Sequence, residues 1–222
     1  MYIQIDDFQL FYKKTGHGQP LLLIHGNGED CDIFDNATEI LKDHFTVYAI
    51  DTRGHGRSGG HQKVYHYDQF CDDFLEFIEK LNLDDVVVFG FSDGAIIGAL
   101  MALKSDKLAH CILCGINTDA SQVSFSSGEF DFVKDADDNT KALFDLMLRE
   151  PHISFEQLAT IQTPTTFCFG ENDIIPLSLA QEITSAVPNA KLHVEPNADH
   201  GSYIKRNVRV AELILQYAKE QK

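Results

Sequence analysis

Basic residues are scarce in this chain. Lysine and arginine number 18 against 34 aspartates and glutamates, leaving a formal charge of −16 and a pI near 4.8. Nucleic-acid binding needs a basic face to neutralise phosphates, so that class of function is excluded. An acidic surface also repels anionic membranes and polyanionic substrates, which leaves partners that are neutral or cationic. Long apolar runs are missing too, and none approaches the roughly 20 residues that span a bilayer. The opening segment MYIQIDDFQLFYKK alternates apolar and polar residues and lacks a basic stretch followed by a hydrophobic one. It reads as strand, not as a secretory leader. Cys111 and Cys114 form a C-x-x-C, but no second cysteine pair accompanies them to complete a zinc site. They lie in AHCILCGIN, a strand pattern in which residues three apart face opposite ways. No metal or redox role is expected, and five free thiols suit a cytoplasmic location. Internal repeats and low-complexity tracts are also absent.

What is present reads as one α/β domain over residues 1–222, with 44% hydrophobic residues, ordinary for a sizeable core. Residues 2–6 and 8–14 alternate as a hairpin. The run PLLLIHG, ending at His25-Gly26, is apolar throughout, as in a strand buried on both faces. Further strands are expected at 45–50, 85–90, 109–115, 163–170 and 190–196. Helices are expected around 32–43, 66–81, after Ser92, 177–187 and from about Ser202. Strands alternating with helices give an eight-stranded, mostly parallel, helix-flanked sheet. The composition shifts only over 118–162, which is polar and acidic with one amphipathic helix near 139–149. A connection this long, carrying Phe125, Phe130, Phe132 and Phe144, is read as a short lid whose aromatics line something.

The chemistry centres on VVVFGFSDGAIIGALMAL, where a strand meets an apolar helix at Gly90-Phe91-Ser92-Asp93-Gly94. The pattern G-x-S-x-G sets a serine on a tight strand-to-helix turn with its oxygen proud of the sheet. A serine hydroxyl needs a base to take its proton, and that base needs a carboxylate to hold its tautomer. In an open parallel sheet such groups come from loops at the carboxyl ends of strands. GENDIIP places Asp173 just past one strand, and NADHGSY places His200 just past the next. Glu171 shares the loop of Asp173, and Asp119 follows strand 109–115, so both are alternatives for the acid. His193 lies within its strand, and His25 and His55 precede the serine. Gly54 to Gly59 matches G-x-G-x-x-G, but no helix opens behind it to receive a pyrophosphate, so no dinucleotide site is expected.

Nucleophile, acid and base in the order Ser92, Asp173, His200 resemble the α/β-hydrolase superfamily. LLLIHGNGED is similar to its H-G-x-G segment, AIDTRGHGRSGG to its D-x-R-G-x-G-x-S loop, GENDIIP to its acid loop, and DHG to its histidine loop. The resemblance covers nearly the whole chain. It implies a serine hydrolase with no metal or organic cofactor, cleaving a small carboxylic ester through an acyl-enzyme on Ser92. Thioesters, lactones, amino-acid esters and carbon–carbon bonds are served by similar machinery, and a non-catalytic or slow ligand-binding protein on the same fold is the alternative. The resemblance also implies an oxyanion hole from the backbone N–H groups of Asn27 and Asp93, with His25 and Asp51 structural.

Asp93 itself has two readings. A carboxylate in a helix's first turn meets a favourable dipole. It also opposes the oxyanion that develops beside it, a conflict that a substrate ammonium would relieve.

Overall fold

β1 (Tyr2–Ile5) and β2 (Phe8–Gly16) form an antiparallel hairpin in which Tyr2 faces Phe11 and Ile5 faces Phe8. β2 then pairs antiparallel with β4 (Phe45–Ile50), which lies parallel to β3 (Gln19–Ile24). The computed structural model describes residues 1–125 and 127–218, without the side chains of Ser127, Glu129 and Phe132. A 3₁₀ turn at Cys31–Phe34 leads into α1 (Asp35–Leu41). Next come α2 (Tyr67–Lys80), β5 (Val86–Phe91), α3 (Asp93–Lys104) and β6 (Leu108–Cys114). The excursion after β6 holds α4 (Ser127–Lys134), α5 (Asp138–Arg149) and α6 (Phe155–Leu158). β7 (Thr165–Gly170), α7 (Leu177–Ala186), β8 (Ala190–Glu195) and α8 (Arg209–Ala218) complete the described chain.

The eight strands lie in the order β1-β2-β4-β3-β5-β6-β7-β8, and every pairing from β4 to β8 is parallel. The chain winds from β3 outward to β4, then crosses back to β5. That reversal opens a crevice at the carboxyl ends of β3 and β5, where ligands of such sheets bind.

Two apolar layers cover the sheet. One joins Phe70, Phe74 and Phe77 of α2 to Ile96 and Ile97 of α3 and Ile183 of α7. The other joins Ala37 and Leu41 of α1 to Val210, Leu213, Ile214 and Tyr217 of α8, an i, i+3, i+4, i+7 stripe. Each such side chain contributes about 1.5–3 kcal/mol on burial. Cys111 packs in the first layer and Cys114 in the second, so strand alternation separates the C-x-x-C thiols. All five cysteines are free and buried.

Three departures from the expected elements are larger than a shift of one or two residues at a strand end. The helix expected around 32–43 is a 3₁₀ turn followed by seven α-helical residues, because the Asp30 side chain accepts from the Asp32 N–H and starts the turn early. The last helix begins at Arg209, not near Ser202. The Arg206 N–H donates to the Ile33 carbonyl at 2.7 Å, and Arg206 sits at φ +52°, which no helix accommodates. The excursion after β6 contains α4 and α6 besides the expected helix at 139–149.

Candidate active site

β5 runs into α3 with almost no loop, and Ser92 absorbs the reversal at φ +53°, ψ −114°. Such a conformation costs about 1–3 kcal/mol for a residue with a Cβ. It persists because the Ser92 N–H donates to the Cys114 carbonyl at 2.8 Å, and its own carbonyl accepts from Ala95 N at 2.8 Å. The flanking glycines answer to contact rather than φ. A Cβ on Gly90 would lie 2.1 Å from the Gly94 carbonyl oxygen, and one on Gly94 would lie 2.2 Å from that of Ile24. The turn closes only if both positions are bare.

His200 follows β8 and reaches back over the sheet. Its Nε2 lies 3.2 Å from Ser92 Oγ and its Nδ1 lies 2.8 Å from Asp173 Oδ1. In the neutral tautomer that this arrangement selects, Ser92 Oγ–H donates to Nε2 and Nδ1–H donates to Asp173. The Asp173 side chain is fully buried and also accepts from the main-chain N–H groups of Ile175 at 3.1 Å and Gly170 at 3.2 Å. Gly115 makes room for the imidazole, since a Cβ there would sit 2.6 Å from His200 Cε1. The other candidate acids are engaged elsewhere. Asp119 accepts from Ser121 and faces His152 at 2.9 Å, and these hydrogen bonds hold its carboxyl down at about 2. Glu171 accepts from the Asn197 N–H at 2.8 Å.

Asn27 and Asp93 flank Ser92 at the ends of β3 and β5. Among the described residues neither main-chain N–H donates to a protein acceptor. Asp93 opens α3, where free amides and the helix dipole favour negative charge. Its carboxyl does not cap those amides. One oxygen accepts from Tyr67 Oη–H at 2.8 Å and the other from Asn27 Nδ2 at 2.9 Å. Asp93 is buried, and burial pushes its carboxyl up to about 6 against the pull of these two donors.

His25 and Asp51 brace the site from behind. His25 Nε2 accepts from the Thr52 N–H at 3.0 Å, and its Nδ1 lies 2.7 Å from the Gly26 carbonyl oxygen. Asp51 accepts from Cys31 N at 2.8 Å and from Arg57 N and Nε at 2.8 and 2.9 Å. The G-x-G-x-x-G stretch wraps this carboxylate, and α2 begins only at Tyr67.

Ser92, Asp93 and His200 open onto a small cleft of about 50 Å³ whose other walls are Tyr67, Asn117, Val123, Phe125, Met147, Glu150, Ile174 and Ile175, with Gly115 at its base. A second cleft of about 510 Å³ lies beyond Asn27 and Gly28, and Phe125 and Met147 line both. Phe144 lines the second cleft, and its ring meets Phe125 at 5.0 Å and Phe130 at 5.5 Å edge to face. The side chain of Phe132 lies outside the described residues. Tyr67 and Glu150 carry no local sequence signal. They meet because the Tyr67 N–H donates to Glu150 at 3.0 Å and His66 lies on its other oxygen at 2.5 Å, contacts that join α2 to the end of α5.

The sequence model of the family described as alpha/beta hydrolase fold matches residues 19–150. The AB hydrolase superfamily protein YisY of Bacillus subtilis is 23% identical, with 98% of each chain covered. The uncharacterized hydrolase YraK of the same organism is 30% identical over 50% of this chain and 42% of its own length. Among solved structures, an esterase from Exiguobacterium antarcticum superposes with a TM-score of 0.83 at 21% identity over 98% of both chains. The enol-lactonase of Burkholderia xenovorans LB400 gives 0.83 at 19% identity over 99% of this chain and 100% of its own.

Proposed function

The chain belongs to the α/β-hydrolase fold family, and from that premise we propose that it is a serine hydrolase cleaving a small carboxylic ester through an acyl-enzyme on Ser92. The observation that carries this reading is the continuous hydrogen-bonded chain from Ser92 through His200 to Asp173 at the mouth of the smaller cleft.

The steps follow from the geometry. Ser92 Oγ attacks the carbonyl carbon while His200 Nε2 takes its proton, and Asp173 stabilises the imidazolium. The carbonyl oxygen becomes an oxyanion facing the main-chain N–H groups of Asn27 and Asp93. Collapse of the tetrahedral intermediate expels the alcohol, which receives the proton from His200. Water then attacks the acyl carbon with His200 again as base, and release of the acid restores Ser92. Residues 118–162 act as a short lid, bringing Phe125, Met147 and Glu150 over the nucleophile. The substrate is a partly apolar small molecule, neutral or cationic, in keeping with apolar walls that also carry Asp93 and Glu150.

The test is labelling with a fluorophosphonate probe, followed by turnover of p-nitrophenyl acetate. Wild type is expected to label and turn over many times, and Ser92→Ala to do neither while keeping its melting temperature. A folded wild type that resists the probe and leaves the ester intact would sink the reading. Labelling without repeated turnover would point instead to a slow ligand-binding protein.

A further inference from the structure

The side-chain amide of Asn27 bridges the turn at Ser92–Asp93 to the middle of α5. Its Nδ2 donates to Asp93 Oδ2, beside the nucleophile, at 2.9 Å. It also donates to the main-chain carbonyl of Leu143, in the middle of α5, at 3.0 Å. A primary amide has two N–H donors, and both are spent on this bridge. Asp93 is fixed in turn by Tyr67 Oη–H at 2.8 Å on its other oxygen. The loop that carries Asn27 has little else on its outer side. Gly28 lies at φ +69°, with nothing within 4 Å of the place a Cβ would occupy. On the inner side His25 Nδ1 lies 2.7 Å from the Gly26 carbonyl oxygen, and Glu29 accepts from the Gly26 N–H at 3.1 Å and pairs with Lys205 at 2.6 Å.

We propose that Asn27 is a positioning residue that couples the seat of α5 to the oxyanion-binding N–H groups. When α5 packs in place, the Leu143 carbonyl and the Asp93 carboxylate together hold the Asn27 amide, and its main-chain N–H is set toward the developing oxyanion. When α5 lifts, one anchor is lost and the loop at Gly28 is free to turn. The segment between β6 and β7 thereby acts on the chemical step and not only on access. This inference rests on the serine-hydrolase reading above. A catalytic donor has to be held within about 0.5 Å of its working position, and loss of one oxyanion donor typically costs about 10²–10³ in kcat.

Asn27→Ala removes the bridge while keeping the main-chain N–H. It is expected to lower kcat for p-nitrophenyl acetate about 10- to 100-fold with KM within about threefold, because the misplaced donor acts in the transition state and not in ground-state binding. The inhibition constant of a short-chain trifluoromethyl ketone, which forms a tetrahedral oxyanion adduct on serine, should rise in the same proportion as kcat/KM falls. Asn27→Asp keeps the size but points an acceptor at two acceptors, and should be worse than Ala. Leu143→Ala loosens the seat of α5 and should lower kcat in the wild-type background but change little in Asn27→Ala, since coupled sites are non-additive. Melting temperatures identify any variant that fails to fold, and the inhibitor-to-substrate ratio is read on those that do.

Asn27→Ala with kcat within twofold of wild type would overturn the proposal, as would Leu143→Ala and Asn27→Ala effects that simply multiply. Wild-type turnover is measured first. Its absence would overturn the hydrolase reading and this coupling together, whereas normal turnover with an indifferent Asn27 would overturn the coupling alone.

Discussion

The two walls of the cleft are built by different means. On the sheet side, Ser92, His200 and Asp173 stand on turns at the carboxyl ends of β5, β8 and β7, held by main-chain hydrogen bonds and bare glycines. On the opposite side, Tyr67, Phe125, Met147 and Glu150 come from α2 and the β6–β7 excursion, held by side chains that reach across the molecule. Backbone-built positions tolerate almost no change, because the constraint is steric and local. Side-chain-built positions can be exchanged with other chemistry as long as the packing is kept. Predictions about the two walls should therefore differ in size.

The sharpest contrast concerns the acid. Asp173→Asn is expected to lower kcat by about 10³–10⁴, since an amide beside Nδ1 selects the wrong imidazole tautomer. Asp119→Asn sits on the excursion with His152 as its partner and should leave kcat within about twofold. Steady-state rates for the two variants decide between them, and the reverse ranking would break the division of the walls.

Glycines allow the same comparison through stability. Gly94→Ala pushes a Cβ to 2.2 Å from the Ile24 carbonyl, and is expected to cost about 3 kcal/mol or more, the upper range for overpacking. Gly28→Ala meets open space and carries only the penalty of φ +69°, about 1 kcal/mol. Urea unfolding of both proteins measures the gap. Equal losses would mean that the turn at Ser92 is no tighter than the loop beyond it.

That steric locality is why the sheet side was legible in the sequence. Gly90-Phe91-Ser92-Asp93-Gly94 can be read as a sharp turn because only such residues fit there. Asp173 falls just behind the apolar run of β7, and His200 follows the alternating strand β8 by one short turn. Tyr67 and Glu150 are 83 residues apart in the chain and meet through one main-chain hydrogen bond, a contact that no local pattern encodes. The Asn27 side chain was hidden for the same reason, its partners being Asp93 and a carbonyl in α5. The sequence pattern predicts α8 too early because Tyr203 and Ile204 are buried and apolar and so mimic a helical face. Their burial comes from a turn that is tied to Ile33.

Asp93 belongs to both walls, and its carboxyl reports the cost of that position. Burial raises it from 3.8 to about 6, which corresponds to about 3 kcal/mol of penalty on the charged form. The folded state holds this proton more tightly than the unfolded one. The penalty is therefore absent below about pH 4, grows as pH rises, and is complete above about pH 6. Asp93→Asn is neutral throughout. The unfolding free energy of the variant relative to wild type should consequently rise by up to about 3 kcal/mol between pH 4 and pH 7. Subtracting the two curves cancels the titrating groups that do not interact with Asp93. A difference that stays flat across this range would show that the carboxyl titrates alike in both states.

The smallest effect expected is on the choice of substrate. The smaller cleft presents Asp93 and Glu150, and among the described residues no lysine or arginine lines it, so the field over Ser92 favours an ammonium over a carboxylate. Two unit charges about 6 Å apart interact by about 3 kcal/mol at an effective dielectric of 20. Two things reduce that figure here. An ammonium loses hydration on entry, and Asp93 is already shared between Tyr67 and Asn27. About 1 kcal/mol should survive, or roughly fivefold in kcat/KM. The measurement compares an α-amino ester with its desamino analogue, each normalised to its rate of hydroxide hydrolysis, because an ammonium activates the ester by itself. The ratio is then repeated in Asp93→Asn. Using a ratio within each enzyme removes the loss of kcat that the variant suffers through Asn27. A preference for the amine that collapses in the variant assigns recognition to Asp93. A preference that survives moves it to Glu150, across the cleft. Equal rates in wild type would leave Asp93 holding Asn27 and reading no charge at all.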